Sequence, residues 1–185
     1  MADLLLDGVP TLDLLEIIPS TSKVAQLTQR DQSSVSRIYR HTSERLGLAF
    51  GKQHNGRYQA GANQALLQNL RRASQLMRLE GTPSSPRWLN ALSGGWPTAA
   101  ASCHLPDALE AHGFEPVLLE ALLLQRIVDA VVINAAAAEQ QRRPAIAAVP
   151  LNANAAVWLR ADLASHPSLC SLVAHLTLAT APSPP

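Results

Sequence analysis

VAQLTQRDQSSVSRIYRHTSERLGLAFGKQHNGRYQ, residues 24–59, decides how this chain is read. Its first residues complete a short helical piece, 22–28, with Ser22 as the expected N-cap. A longer helix is expected over 31–47, with Asp31 as N-cap and Gly47 as stop. Within it Val35, Tyr39, Thr42 and Leu46 recur at spacings of four, three and four, the mark of a buried stripe. Beyond Gly47 the helical period is lost. Asn55-Gly56, set between LAFGKQH and RYQA, is a strong short signal for a hairpin. On the upstream side, residues 10–18 read as an amphipathic helix carrying Leu12, Leu15 and Ile18, with Pro10 near its start and Pro19 stopping it. On the downstream side, residues 62–79 read as a helix with a heptad-like stripe of Ala62, Leu66, Leu70, Ala73 and Met77, Gln and Arg covering the rest.

Helix, short helix, tight turn, long helix and hairpin follow one another in the order of a winged helix-turn-helix. In that motif the second helix lies in the DNA major groove. Its first turn needs short polar side chains that reach base edges without holding the backbone away. Gln32, Ser33, Ser34, Ser36 and Arg37 meet this need. Gln can pair bidentately with adenine N6/N7 and Arg with guanine O6/N7. Arg40 and Arg45 suit phosphates, and the hairpin tip offers Lys52, His54, Asn55 and Arg57 to the flanking backbone.

The charge pattern agrees. The formal net charge is +1, but residues 1–19 hold Asp3, Asp7, Asp13 and Glu16 with no Lys or Arg. Residues 20–60 hold seven basic side chains against two acidic ones, the electrostatic footprint of a nucleic-acid binder.

The remainder is different in character. GTPSSP at 81–86 has the composition of a linker. After it come a strand at 88–92, a Gly94-Gly95 turn, a helix at 105–112, and a helix or helix plus strand at 117–128. A buried strand at 131–133, a helical turn or loop at 135–144, a strand at 155–159 and a helix at 167–180 with Pro167 in its first turn follow. Residues 181–185, APSPP, read as a disordered tail. No internal repeat is visible.

Several classes are excluded on composition. The chain has 185 residues, 47% of them hydrophobic and 16% charged, which suits one domain or two small ones rather than a disordered chain. No apolar run reaches the length of a bilayer span. MADLLLDGVP lacks the basic region of a secretory signal, so a reducing cytoplasm is the expected compartment and no membrane partner is expected. Cys103 and Cys170 stand far apart, in no disulfide or metal pattern, and are expected to pack as small hydrophobes. Gly94-Gly95-Trp96-Pro97 lacks the Lys-Ser/Thr of a nucleotide loop and reads as a turn. His104, His112, His166 and His175 have no partner at ligand spacing and read as structural or surface residues. No nucleophile–base pair is readable, so neither an enzyme nor a metal or cofactor is expected.

The quoted stretch resembles the DNA-binding domain of LysR-type transcriptional regulators. The matches are Gln32, Ser33, Ser34, Val35, Ser36 and Arg37 at the start of the recognition helix, Leu46-Gly47 opening the wing, and Gly56-Arg57 leading out of it. The likeness extends over about residues 10–80, with 62–79 in the place of the linker helix through which the family dimerises. The chain differs at Asp31, where Ser is usual, at Ile38, at Gly51 and in the VAQL of the first motif helix. Residues 87–133 and 149–176 resemble parts of the family's effector domain, but the stretch between them is too short for its second subdomain.

The resemblance implies an α+β chain: a winged helix-turn-helix at 1–61, a linker and dimerisation helix at 62–80 carrying Leu66, Leu70, Ala73 and Met77, and a reduced α/β domain at 87–180. It implies a homodimeric regulator that binds double-stranded DNA, with inducer sensing not carried over. A protein-interaction module is the other reading, in which a degenerate helix-turn-helix leaves DNA unbound and the 62–79 helix pairs with a partner; Asp31 and Ile38 favour it, and the basic block opposes it. A third reading keeps a minimal ligand pocket in the α/β half.

Overall fold

In the computed structural model, which describes residues 3–92, 108–110, 114–140 and 143–180, the chain divides into two units, Met1–Ser74 and Gln75–Pro185. A π-helical turn, Leu4–Gly8, leads into α1, Val9–Ile17. Pro10 sits in the first turn of α1, where its missing N–H costs nothing. Nearly every side of α1 is buried, Val9, Leu12 and Leu15 completely. Then come α2, Thr21–Leu27, and α3, Gln32–Leu46, followed by a hairpin of β1, Phe50–Lys52, and β2, Tyr58–Ala60.

Two local expectations need correction. The N-cap of α2 is Ser20 rather than Ser22: Ser20 has extended backbone, and its hydroxyl accepts the Lys23 N–H at 3.4 Å. Asp31 does occupy the N-cap position of α3, but its side chain makes no capping hydrogen bond. At the other end Gly47 is left-handed, φ 59°, as a helix stop requires. A Cβ there would also come within 2.9 Å of Asn63 Nδ2, which donates to the Leu46 carbonyl.

The next helix, α4, runs Gln64–Glu80 across the division between the units. Sequence reasoning puts its arginines on the outside. Instead the Arg71 side chain is 3% exposed, its Nε donating to Asp13 Oδ1 at 2.8 Å and its Nη2 to Glu16 Oε1 at 2.7 Å. A planar guanidinium can satisfy two carboxylates at once, which makes such a burial tolerable. Burial nonetheless pushes Glu16 above the usual carboxylate range, against the pull of Arg71.

In the second unit a five-stranded sheet is formed by β3, Trp88–Asn90; β4, Ala108–Glu110; β5, Ala130–Asn134; β6, Ile146–Pro150; and β7, Ala155–Arg160. The strand order is β4-β3-β5-β7-β6. β3 runs parallel to β4 and β5, whereas β7 is antiparallel to both β5 and β6. Helices α5, Pro116–Leu124, α6, Ala135–Gln140, and α7, Pro167–Thr180, accompany it. Leu169, Leu172 and Leu176 of α7 pack with Trp88, Ala130, Val132, Val157 and Leu159 in one core. The helix expected at 105–112 is overturned at 108–110, which pair as a strand with β3. The sequence pattern does not announce the strand β6. Cys170 is exposed rather than packed, its thiol donating to the Ala164 carbonyl at 3.6 Å. The Gly94-Gly95-Trp96-Pro97 turn, Cys103, His104, His112 and the 181–185 tail lie outside the described residues.

The polar centre of this unit is Asp129, whose side chain is fully buried. Gln75 donates to it at 2.9 Å, Arg78 grips both oxygens at 2.8 and 2.9 Å, and the Arg87 N–H donates at 2.7 Å. Ser168 Oγ donates to the Leu79 carbonyl at 2.6 Å, joining α7 to the end of α4.

Candidate nucleic-acid interface

Helix α3 presents two contrasting sides. Val35 and Thr42 are buried, with Tyr39 and Leu46 half-buried beside them, as the stripe requires. Gln32, Ser33, Arg37 and Arg40 are exposed, while Ser34 and Ser36 are half-buried. Gln32 Nε2 donates to Thr21 Oγ1 at 3.1 Å, so its amide is steadied from α2. Arg37 Nη2 donates to Ser34 Oγ at 3.3 Å, one turn back along the helix. Arg40 Nε donates to the Tyr39 hydroxyl at 3.3 Å, and its guanidinium stands over that ring. The positions 33, 37 and 40 fall on one stripe of a 3.6-residue helix, so polar and cationic groups share a face.

The hairpin is fastened to this helix by a device that sequence reasoning missed. Tyr39, Phe50 and Tyr58 form a ring cluster with centroid separations of 5.7–6.3 Å. Offset and edge-on arrangements of this kind stabilise beyond area burial alone. The Phe50 N–H also donates to Ser43 Oγ at 2.8 Å. Burial beside Tyr39 pushes the Tyr58 hydroxyl above its usual value. Only the aromatic residues Phe50 and Tyr58 on either side of Asn55-Gly56 could have hinted at this cluster. At the tip, Gln53 N–H donates to the Arg57 carbonyl at 2.7 Å and Asn55 Oδ1 accepts the Arg57 N–H at 3.0 Å. Gly56 takes φ 79°, the conformation that Asn-Gly turns exploit. Lys52 and His54 are exposed on this hairpin and Arg57 is half-buried.

On α4 the stripe lies on the outer side. Leu66 is 42% and Met77 44% exposed, and Leu70 and Ala73 are half-buried. Leu76, at 46%, extends the same apolar surface. Among the described residues no cluster of His, Cys, Asp or Glu could hold a metal ion, and no helix is long and apolar enough to cross a membrane.

No family model matches the chain, and no curated protein does. Solved structures of LysR-type regulators do resemble it. Full-length OxyR from Pseudomonas aeruginosa, in a variant form, is 15% identical over 79% of this chain and 54% of that one, with a TM-score of 0.44. CbnR, a LysR family transcriptional regulator, is 16% identical over 78% of this chain and 54% of that one, TM-score 0.33. DarR of Vibrio fischeri, solved in complex with DNA, is 12% identical over 82% of this chain and 56% of that one, TM-score 0.32. The chain thus spans about half the length of the structures it matches. Likenesses this loose assign no residue a role.

Proposed function

We propose that the chain is a DNA-binding transcriptional regulator of LysR type, working as a homodimer. The observation that carries this is the exposed face of α3, where Gln32, Ser33, Arg37 and Arg40 stand together on a helix whose opposite side is buried. In this reading Gln32 and Arg37 read bases, Ser33, Ser34 and Ser36 keep the helix close to the groove floor, and Arg40 with Lys52, His54 and Arg57 neutralises phosphates. Leu66, Leu70, Ala73 and Met77 form the dimer seam. Residues 1–61 are the DNA-binding part, 62–80 the linker helix and 87–180 a reduced effector-like domain. Inducer sensing is not part of the proposal: the stretch joining β5 to β7 carries α6 and β6, and β6 forms the edge of the same sheet beside β7.

The test is fluorescence anisotropy with mixed-sequence duplex DNA across a salt series, beside Arg37→Ala and Arg40→Ala. Binding that weakens steeply with salt, and again in both variants, supports the reading. No binding at low salt overturns it. The exposed apolar side of α4 favours one second reading, a module that pairs through α4 without touching DNA. That reading predicts self-association together with no DNA binding.

A further inference from the structure

The acidic charge of residues 1–19 is not evenly available. Asp13 and Glu16 are spent on buried Arg71. Asp3 and Asp7 remain, locked into the π-helical turn Leu4–Gly8: Asp3 Oδ1 accepts the N–H groups of Leu5 and Leu6, both at 2.9 Å, and the Asp3 N–H donates to Asp7 Oδ2 at 3.0 Å. The other Asp7 oxygen, Oδ1, is held by Arg30 Nη2. Arg30 belongs to the turn between α2 and α3, where its own N–H donates to the Ala25 carbonyl at 2.9 Å. The Asp7 and Arg30 side chains are 23% and 39% exposed, so both can be reached from solvent. Arg30 lines one open groove together with Asp7, Gln29, Asp31, Ser34 and Arg37. A cation of the basic block therefore sits next to the base-reading end of α3 with a carboxylate already upon it.

We infer that the Leu4–Gly8 turn is an electrostatic latch, in which Asp7 occupies Arg30 and so competes with DNA phosphate for it. The inference rests on the DNA-binding reading above. Its physical basis is simple competition: an arginine paired to a carboxylate adds little to counterion release until a phosphate replaces that carboxylate. The sequence supplies the means, since Asp7 is anchored by Asp3 rather than swinging freely. Binding by the whole chain is thereby set below what its basic block would give unopposed.

The experiment uses the full chain, mixed-sequence duplex DNA and anisotropy titrations over a salt series, with Asp7→Asn, Arg30→Gln and the double variant. Asp7→Asn is expected to bind roughly threefold or more tightly at low salt, with a log–log salt slope steeper by about one. Arg30→Gln alone is expected within about twofold of the parent, and the double variant is expected to lose the gain. Asp7→Ser repeats the measurement should thermal melting show that Asn disturbs the turn. Affinity of Asp7→Asn equal to or below that of the parent overturns the latch while leaving DNA binding intact. A gain that survives in the double variant also overturns it, because the effect then comes from net charge and not from Arg30. Absence of binding by every variant overturns the DNA-binding reading itself, and the latch with it.

Discussion

Helices α3 and α4 are both two-sided, but they divide polar and apolar groups differently, α4 burying Arg71, Ser74 and Gln75 beside Leu67 and Leu79. The inner side of α3 is Val35, Tyr39 and Thr42, and its outer side is polar and cationic. The inner side of α4 includes Arg71, Ser74 and Gln75, 3%, 3% and 1% exposed, and its outer side shows Leu66, Leu76 and Met77. Buried polar groups are tolerated when every one is bonded, and here Arg71 meets two carboxylates while Gln75 meets Asp129. Large apolar side chains in water are the informative anomaly on the other side. A helix with cations outside suits a charged, hydrated partner such as duplex DNA. Exposed Leu66, Leu76 and Met77 suit another apolar surface, which is why the proposed dimer seam is put on α4.

The comparison can be broken most decisively on the outer side of α4. The double variant Leu66→Glu, Met77→Glu is expected to convert a dimer wholly to monomer in light scattering with its melting curve still cooperative. Persistence of the dimer would remove the seam from α4. The inner side comes next. Arg71→Ala leaves Asp13 and Glu16 without their guanidinium and is expected to cost about 3–5 kcal/mol in denaturant unfolding. A loss under about 1 kcal/mol would mean that water reaches those carboxylates and that α4 has no truly polar inner side.

On α3 the effects are smaller and concern affinity. Arg37→Ala is expected to lose about 1–3 kcal/mol for the preferred site with folding unchanged; equal affinity by anisotropy would strip Arg37 of base reading. The smallest effect is on acid stability. The hydrogen bond from Arg30 holds Asp7 below the usual carboxylate range. Its stabilisation is therefore fully present above that range and is lost as pH falls through the lowered value. Asp7→Asn is expected to flatten that part of the unfolding profile slightly. An unchanged acid limb would show that the pair contributes nothing to folding.

The same contrast explains what could be read in advance. The stripe of α3 obeyed the rule that apolar residues face inward, so Val35, Thr42, Gly47 and the Asn55-Gly56 hairpin were legible one by one. The existence of α4 was legible too, but not the polar part of its inner side, because Arg71 and Gln75 look like surface residues until Asp13 and Asp129 are known to face them across 58 and 54 positions of chain. The ring cluster Tyr39–Phe50–Tyr58 was hidden for a similar reason, since it closes only when the hairpin folds back. Locally, Ser20 and Ser22 are equally good caps by type, and the extended backbone at Ser20 decides between them. Residues 105–112 are rich in Ala, Leu and Glu and so read as helix, yet 108–110 gain a parallel partner in β3, and tertiary pairing overrides propensity. The strand β6, IAAVP, carries too little branched or aromatic character to announce itself.

That inconspicuous strand has a further consequence. β6 is the last strand in the order of its sheet, and its final residue, Pro150, faces Ala156 of β7. Proline has no amide hydrogen to offer, and the small side chains Ala147 and Ala148 give a second chain little to grip. A sheet margin of this kind is a poor template for amyloid-like stacking. At Pro150 the edge thus lacks one of the N–H donors that pairing with a further strand would use.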